Sequence, residues 1–119
     1  MSKDDYHVII YQILSYLYQC LKSGKAVEPG KLKPDSVYFT ANGQSINIRY
    51  WTYIIYHLRR DGYIEGVVFT DMDNLSVPYP ADLDGCMITP EGIEYLTDNS
   101  FLAKAREFLK ETKAIVPFV

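Results

Sequence analysis

The sequence predicts an α+β fold in which helices come first, a hairpin follows and further helices close the chain. Three observations carry that prediction. Apolar residues recur at helical spacing in two long segments, 3–23 and 47–60. A run of β-branched and aromatic residues, Tyr63 to Phe69, follows the second segment after an Asp61-Gly62 stop. Thr89-Pro90-Glu91 then has the form of a helix start, with Thr as N-cap and Pro at the first helical position.

Each element follows from local chemistry. In residues 3–23, Tyr6, Ile9, Ile10, Ile13, Leu14, Leu17 and Leu21 form a sustained apolar stripe, and Ser23-Gly24 ends the helix. This helix is expected to be a main wall of the core, since each large side chain buried contributes roughly 1.5–3 kcal/mol before entropy is subtracted. Residues 24–35 are polar and basic, with Lys25, Lys31 and Lys33, and read as a connector. Asp35 to Phe39 has the pattern of a short second helix preceded by Pro34. Thr40 to Ser45 is turn chemistry.

Ser45 or Asn47 is placed to cap the long helix that runs to about Arg60. On that helix Trp51, Ile54, Ile55 and Leu58 fall at i, i+3, i+4 and i+7, a core-facing stripe. Arg49, Tyr53, Tyr56 and Arg60 fall on the side turned away from it. Tyr63 to Phe69 reads as a strand and Cys86 to Thr89 as a short returning strand. Residues 70–85, with four Asp, two Pro and one Gly, read as a long tip between them. After the helix begun at Thr89, Ser100 is expected to cap a last helix carrying Phe101, Leu102, Ala105, Phe108 and Leu109. Ala114 to Val119 is an apolar tail.

Helix, short helix, long helix, hairpin, helix is the order of a winged helix, and the long helix occupies the recognition position of a helix-turn-helix. The expected organisation is a winged-helix domain over residues 1–99, with residues 100–119 forming a C-terminal helix and tail packed on it. There is no internal repeat and no low-complexity segment.

Composition bounds the function. A chain of 119 residues suits one core, and 48% apolar with 23% charged residues suits a folded globule. No apolar run approaches the roughly 20 residues needed to span a bilayer. Met-Ser-Lys-Asp-Asp leads straight into a helical pattern without the regions of a signal peptide, so the expected location is cytoplasmic. Cys20 and Cys86 lack C-x-x-C spacing and are expected to be buried free thiols, although a disulfide between them is conceivable. Eleven tyrosines are a surplus that suits half-buried surfaces and interfaces. Net charge is −3, but its distribution is uneven. Residues 1–60 hold eight Lys/Arg against four Asp/Glu, and residues 61–119 hold four against eleven. A basic face is therefore compatible with an acidic total.

The residues also resemble a known family. Tyr50-Trp51, Ile54-Ile55, Leu58, Asp61-Gly62-Tyr63-Ile64 and Gly66-Val67, then Ile88 to Leu96 and the amphipathic helix from Ser100, are similar to the YjcQ-like winged-helix proteins of Gram-positive bacteria and their phages. The resemblance spans roughly residues 47–111 with a compatible first helix. Its Thr89-x-x-Gly92-x-x-x-Leu96 turn is shared with many winged helices, including PadR-type and MarR-type regulators. The resemblance implies the fold and supplies no catalytic residues. The chain departs from typical winged-helix regulators in its acidic hairpin.

The leading functional expectation is DNA binding by helix 47–60. Arg49 is placed to meet a guanine edge or a phosphate, and Gln44 and Asn47 to hydrogen-bond bases or phosphates. Tyr50 and Tyr53 are placed to pack on sugars or thymine methyls, with Tyr56 on the same face. Arg60, at the far end, suits a phosphate or an intramolecular partner. The plainer reading is a solvated face whose tyrosines pack on the connector or on a partner subunit. The alternative function is a protein-interaction module that uses the winged helix without DNA.

A DNA-binding wing normally offers Lys or Arg, whereas this hairpin offers Asp71, Asp73, Asp82 and Asp84. These resemble fragments of calcium loops but lack the twelve-residue ligand pattern and its closing Glu. His7 and His57 lie in different helices without ligand spacing. No nucleophile motif or Gly-rich phosphate loop is present, so neither catalysis, a cofactor nor a metal is expected. The last helix and tail carry more apolar surface than a small core needs. That surface suits packing along the first helix or a homodimer built on the two.

Overall fold

The computed structural model describes residues 5–36, 45–71 and 78–112. Its elements are α1 (Asp5–Ser23), a 3-10 turn (Pro29–Lys31), α2 (Ile48–Arg60), β1 (Ile64–Glu65), β2 (Val68–Thr70), β3 (Tyr79–Asp82), β4 (Met87–Ile88), α3 (Pro90–Asp98) and α4 (Ser100–Thr112). The fold is α+β, with four α-helices and small antiparallel sheets among the described residues. The expected short helix over 35–39 falls mostly on residues outside those described, as do Gln44 and the apolar tail.

α1 is the central wall. Every residue from Val8 to Leu17 is buried, including Gln12 and Ser15. It packs most extensively against α4, and also against β4 and α3. Leu102, Ala105 and Leu109 give α4 its buried stripe. Phe101 and Phe108 flank that stripe and stay about half exposed, at 51% and 45%.

α2 lies against the connector and the hairpin. Trp51, Thr52, Ile54, Ile55 and Leu58 are its buried residues. The Trp51 indole Nε1–H donates to the Leu32 carbonyl at 2.7 Å, which satisfies a polar group inside the core. The connector is thereby pinned to α2, and the Ile46 N–H donates to the Pro34 carbonyl at 3.1 Å. Of the two expected caps, Asn47 is the one used: its Oδ1 accepts from the Arg49 N–H at 2.9 Å.

The hairpin differs from its sequence reading in two ways. The single strand expected over Tyr63–Phe69 is broken into β1 and β2 at Gly66, which has φ +82°. Residues 70–85, expected as one long loop, contain the strand β3. β1 pairs with β4 and β2 with β3, both antiparallel, so one hairpin carries two short ladders in succession. Pro80 suits β3 because a two-stranded ladder needs an N–H on only one side of each strand. At the break the backbones touch: a Cβ on Gly66 would lie 1.9 Å from the Gly85 carbonyl oxygen. Leu83 and Cys86 turn into the core there. Apolar anchoring of Leu83 outweighs the turn chemistry of the Asp and Gly residues around it.

The C-terminal half holds one further correction. α3 starts as expected, with Thr89 Oγ1 accepting from the Gly92 N–H at 3.0 Å. The cap of α4, however, is Asn99 rather than Ser100. Its Oδ1 accepts from the N–H groups of Phe101 at 2.9 Å and Leu102 at 3.2 Å, and Ser100 becomes the first helical residue. Asn and Ser are about equal as caps, so local chemistry does not favour Ser100 over its neighbour. Both cysteines are buried and free, and burial pushes the Cys86 thiol up to about 12. No helix among the described residues is long and apolar enough to cross a membrane.

Candidate nucleic-acid interface

The outer side of α2 sorts its residues into three groups. Arg49, Tyr53 and Arg60 are exposed and stand at i, i+4 and i+11 on one row. At 1.5 Å rise per residue the two arginines are about 16 Å apart along the axis. Neither forms an ion pair with any described residue, and the same holds for exposed Arg59. Three guanidinium groups on one helix are thus left to solvent or to a partner.

Tyr50 and Tyr56 are only half exposed. Tyr50 packs against the core from its edge. The Tyr56 ring meets Phe69 of β2 edge-on at 6.1 Å and His57 at 5.3 Å. Asn47 has its carbonyl oxygen engaged in capping, leaving its amide NH2 as the group able to face a ligand. Gln44, the remaining expected contact, lies outside the described residues. The helix therefore brings Arg49, Tyr53 and Arg60 together and turns Tyr50 and Tyr56 partly toward the fold.

The acidic hairpin is arranged differently from its expectation. Asp82 and Asp84 do not sit at the tip; they flank the break between the two ladders, where the Asp84 N–H donates to Asp82 Oδ1 at 2.8 Å. Asp71 stands at the end of β2, and Asp73 lies outside the described residues. Among the described residues no three His, Cys, Asp or Glu side chains gather into a group able to hold a metal.

Beyond the outer row of α2 several aromatic pairs form, of whose members only Tyr53 belongs to the expected contact residues. Tyr53 packs on His57 with ring centroids 4.3 Å apart. Tyr63 and Tyr95 stack at 4.3 Å with planes 2° apart. His7 stacks on Phe101 at 4.9 Å and meets Tyr6 edge-on at 5.4 Å. Burial first, then the charges of Tyr53, Asp61 and Tyr63, raise the Tyr6 hydroxyl above its ordinary pKa. Burial, then Tyr6, Tyr63 and Asp61, raise Tyr95 in the same way. Tyr63 and Tyr95 thus form one stacked pair where α3 meets the turn after α2. Gly92 makes it possible: a Cβ there would lie 2.2 Å from the Tyr63 carbonyl oxygen, so α3 approaches close enough to lay Tyr95 on Tyr63. The only sequence signal for these ring contacts is the tyrosine surplus, because Tyr63 and Tyr95, like His7 and Phe101, come from separate segments of the chain.

A protein-family model described as YjcQ protein matches residues 11–115, nearly the whole chain. No curated protein and no solved structure matches it.

Proposed function

The chain belongs to the YjcQ protein family, and from that premise we propose that it is a winged-helix DNA-binding protein of phage or prophage type, regulatory rather than catalytic, that presents α2 to the major groove. In this reading α1 and the connector are the first part of the helix-turn-helix, and β1 to β4 form the wing. The observation that carries it is the exposed Arg49–Tyr53–Arg60 row, whose guanidiniums have no acidic partner among the described residues. An arginine in the first turn of a recognition helix is suited to a guanine edge, and one in the last turn to a phosphate. Tyr53 between them offers a flat apolar surface to a sugar or a thymine methyl.

The wing contributes little to this contact. Asp71, Asp82, Asp84 and Glu65 are exposed on the hairpin, and phosphate repels them. DNA binding therefore depends on α2 and its flanks. The hairpin charge is also the observation that favours the second reading, a protein-interaction module without DNA.

Titrating the protein with mixed-sequence duplex at low and at physiological salt separates the two. Counterion release makes DNA binding tight at low salt and steeply weaker as salt rises. No binding at low salt would leave only the protein-interaction reading.

A further inference from the structure

α4 turns one stripe to the core and presents the opposite side outward. Leu102, Ala105 and Leu109 are buried. Ala103, Lys104, Glu107, Phe108 and Glu111 are exposed and line an open groove along the outer side. Phe101, one heptad before Phe108, adds a second half-exposed ring at the edge of that face.

The charges on this face are ordered. Glu107 is countered within its own helix, with the Lys110 Nζ 3.8 Å away. Lys104 and Glu111 form no ion pair with any described residue. Lys104 lies 5.7 Å from the Phe101 ring centroid, and its ammonium has three donors, enough to meet a carboxylate as well. Lys104 and Glu111 stand at i and i+7, close to two full turns, and so share one row. From N- to C-terminus that row reads positive, then negative. A copy running the opposite way reads negative, then positive. Lys104 then meets the partner's Glu111, and Glu111 meets the partner's Lys104. A parallel copy would set Lys against Lys and Glu against Glu. The row is therefore self-complementary in one direction only, as a twofold interface requires.

We propose that the outer face of α4 docks on the same face of a second copy of this chain, the two helices running antiparallel about a twofold axis between Glu107 and Phe108. Each Lys104–Glu111 contact then lies about 5 Å along the helix from that axis. Phe108 of each copy comes level with the partner's Glu107 and enters the groove beside the partner's Ala103, as a knob enters a hole of a facing helix. One helix per copy makes a small interface, so the dimer is concentration-dependent. The interface uses no residue of α2 and does not depend on DNA binding.

The test is analytical ultracentrifugation of the full chain from roughly 10 μM to 1 mM, the range suited to a small interface. The expected result is a mass that rises from monomer toward dimer. Lys104→Glu or Glu111→Lys alone should weaken the dimer about tenfold or more, because two attractive pairs become repulsive. Both positions are exposed, so each variant should unfold at the same temperature as the parent chain. Mixing the two variants should restore assembly, since every pair across the axis is then opposite in charge. The doubly swapped chain, Lys104→Glu with Glu111→Lys, should dimerise by itself. A monomer at every concentration would overturn the proposal and leave the face to solvent or to residues 113–119. A dimer indifferent to both reversals, or one that mixing fails to restore, would overturn it too.

Discussion

The two sides of α2 obey different rules. On the inner side Trp51, Ile54, Ile55 and Leu58 are all buried, and the single polar atom among them, the Trp51 Nε1, has its partner in the Leu32 carbonyl. On the outer side Arg49, Arg59 and Arg60 form no ion pair with any described residue. One face is satisfied within the fold and the other is open to solvent. The packed face sets stability and, under the proposed function, the open face sets recognition, so substitutions on the two sides should separate cleanly.

The largest expected effect lies on the inner side. Trp51→Ala removes the largest fully buried side chain of the core and leaves the Leu32 carbonyl without its donor. It should cost about 3–5 kcal/mol, measured by denaturant unfolding. A loss below about 1 kcal/mol would break the distinction between the faces.

Next comes Gly92→Ala. Alanine is the better helix former by about 1 kcal/mol, yet its Cβ would collide with the Tyr63 backbone. Overpacking should win, with a net loss of about 1–3 kcal/mol. The Tyr63–Tyr95 stack should loosen at the same time, visible as changed tyrosine ring shifts.

On the outer side Arg49→Ala should do the reverse. Stability should change by less than about 0.5 kcal/mol, as for other exposed positions. Duplex binding should weaken by about 1–3 kcal/mol. Unchanged binding would remove Arg49 from the recognition surface even if the protein binds DNA.

The smallest effect sharpens the boundary between the faces. Thr52 is fully buried on the flank of α2, and its hydroxyl meets no hydrogen-bond partner among the described residues. Thr52→Val keeps the shape and removes that cost, so it should be neutral or stabilising by up to about 1 kcal/mol, with DNA binding unaffected.

The same contrast explains what was legible in the sequence. The inner stripe, the Asn47 and Thr89 caps and the Asp61-Gly62 stop depend on neighbours a few residues away, and periodicity and capping rules read them directly. The split of the hairpin did not follow from local signals. It depends on Gly66 meeting Gly85 and on Leu83 reaching the core, contacts between residues nineteen or more apart or between separate layers. Asp, Pro and Gly between 70 and 85 suggested a loop, and long-range packing made part of it a strand.

The candidate site divides in the same way. Arg49, Tyr53 and Arg60 were readable because one helix carries them all. The Tyr63–Tyr95 stack was not, because α3 and the turn before the hairpin must first be brought together.

The most direct measurement of the central claim is a map of backbone amide shifts on adding a short duplex at low salt. If α2 is the reading helix, the shifts should concentrate at residues 47–60, strongest around Arg49 and Tyr53, and fade as salt is raised. The hairpin carboxylates Asp71, Asp82 and Asp84 should stay still. Shifts centred on the hairpin, or none at any salt, would contradict DNA recognition by this helix.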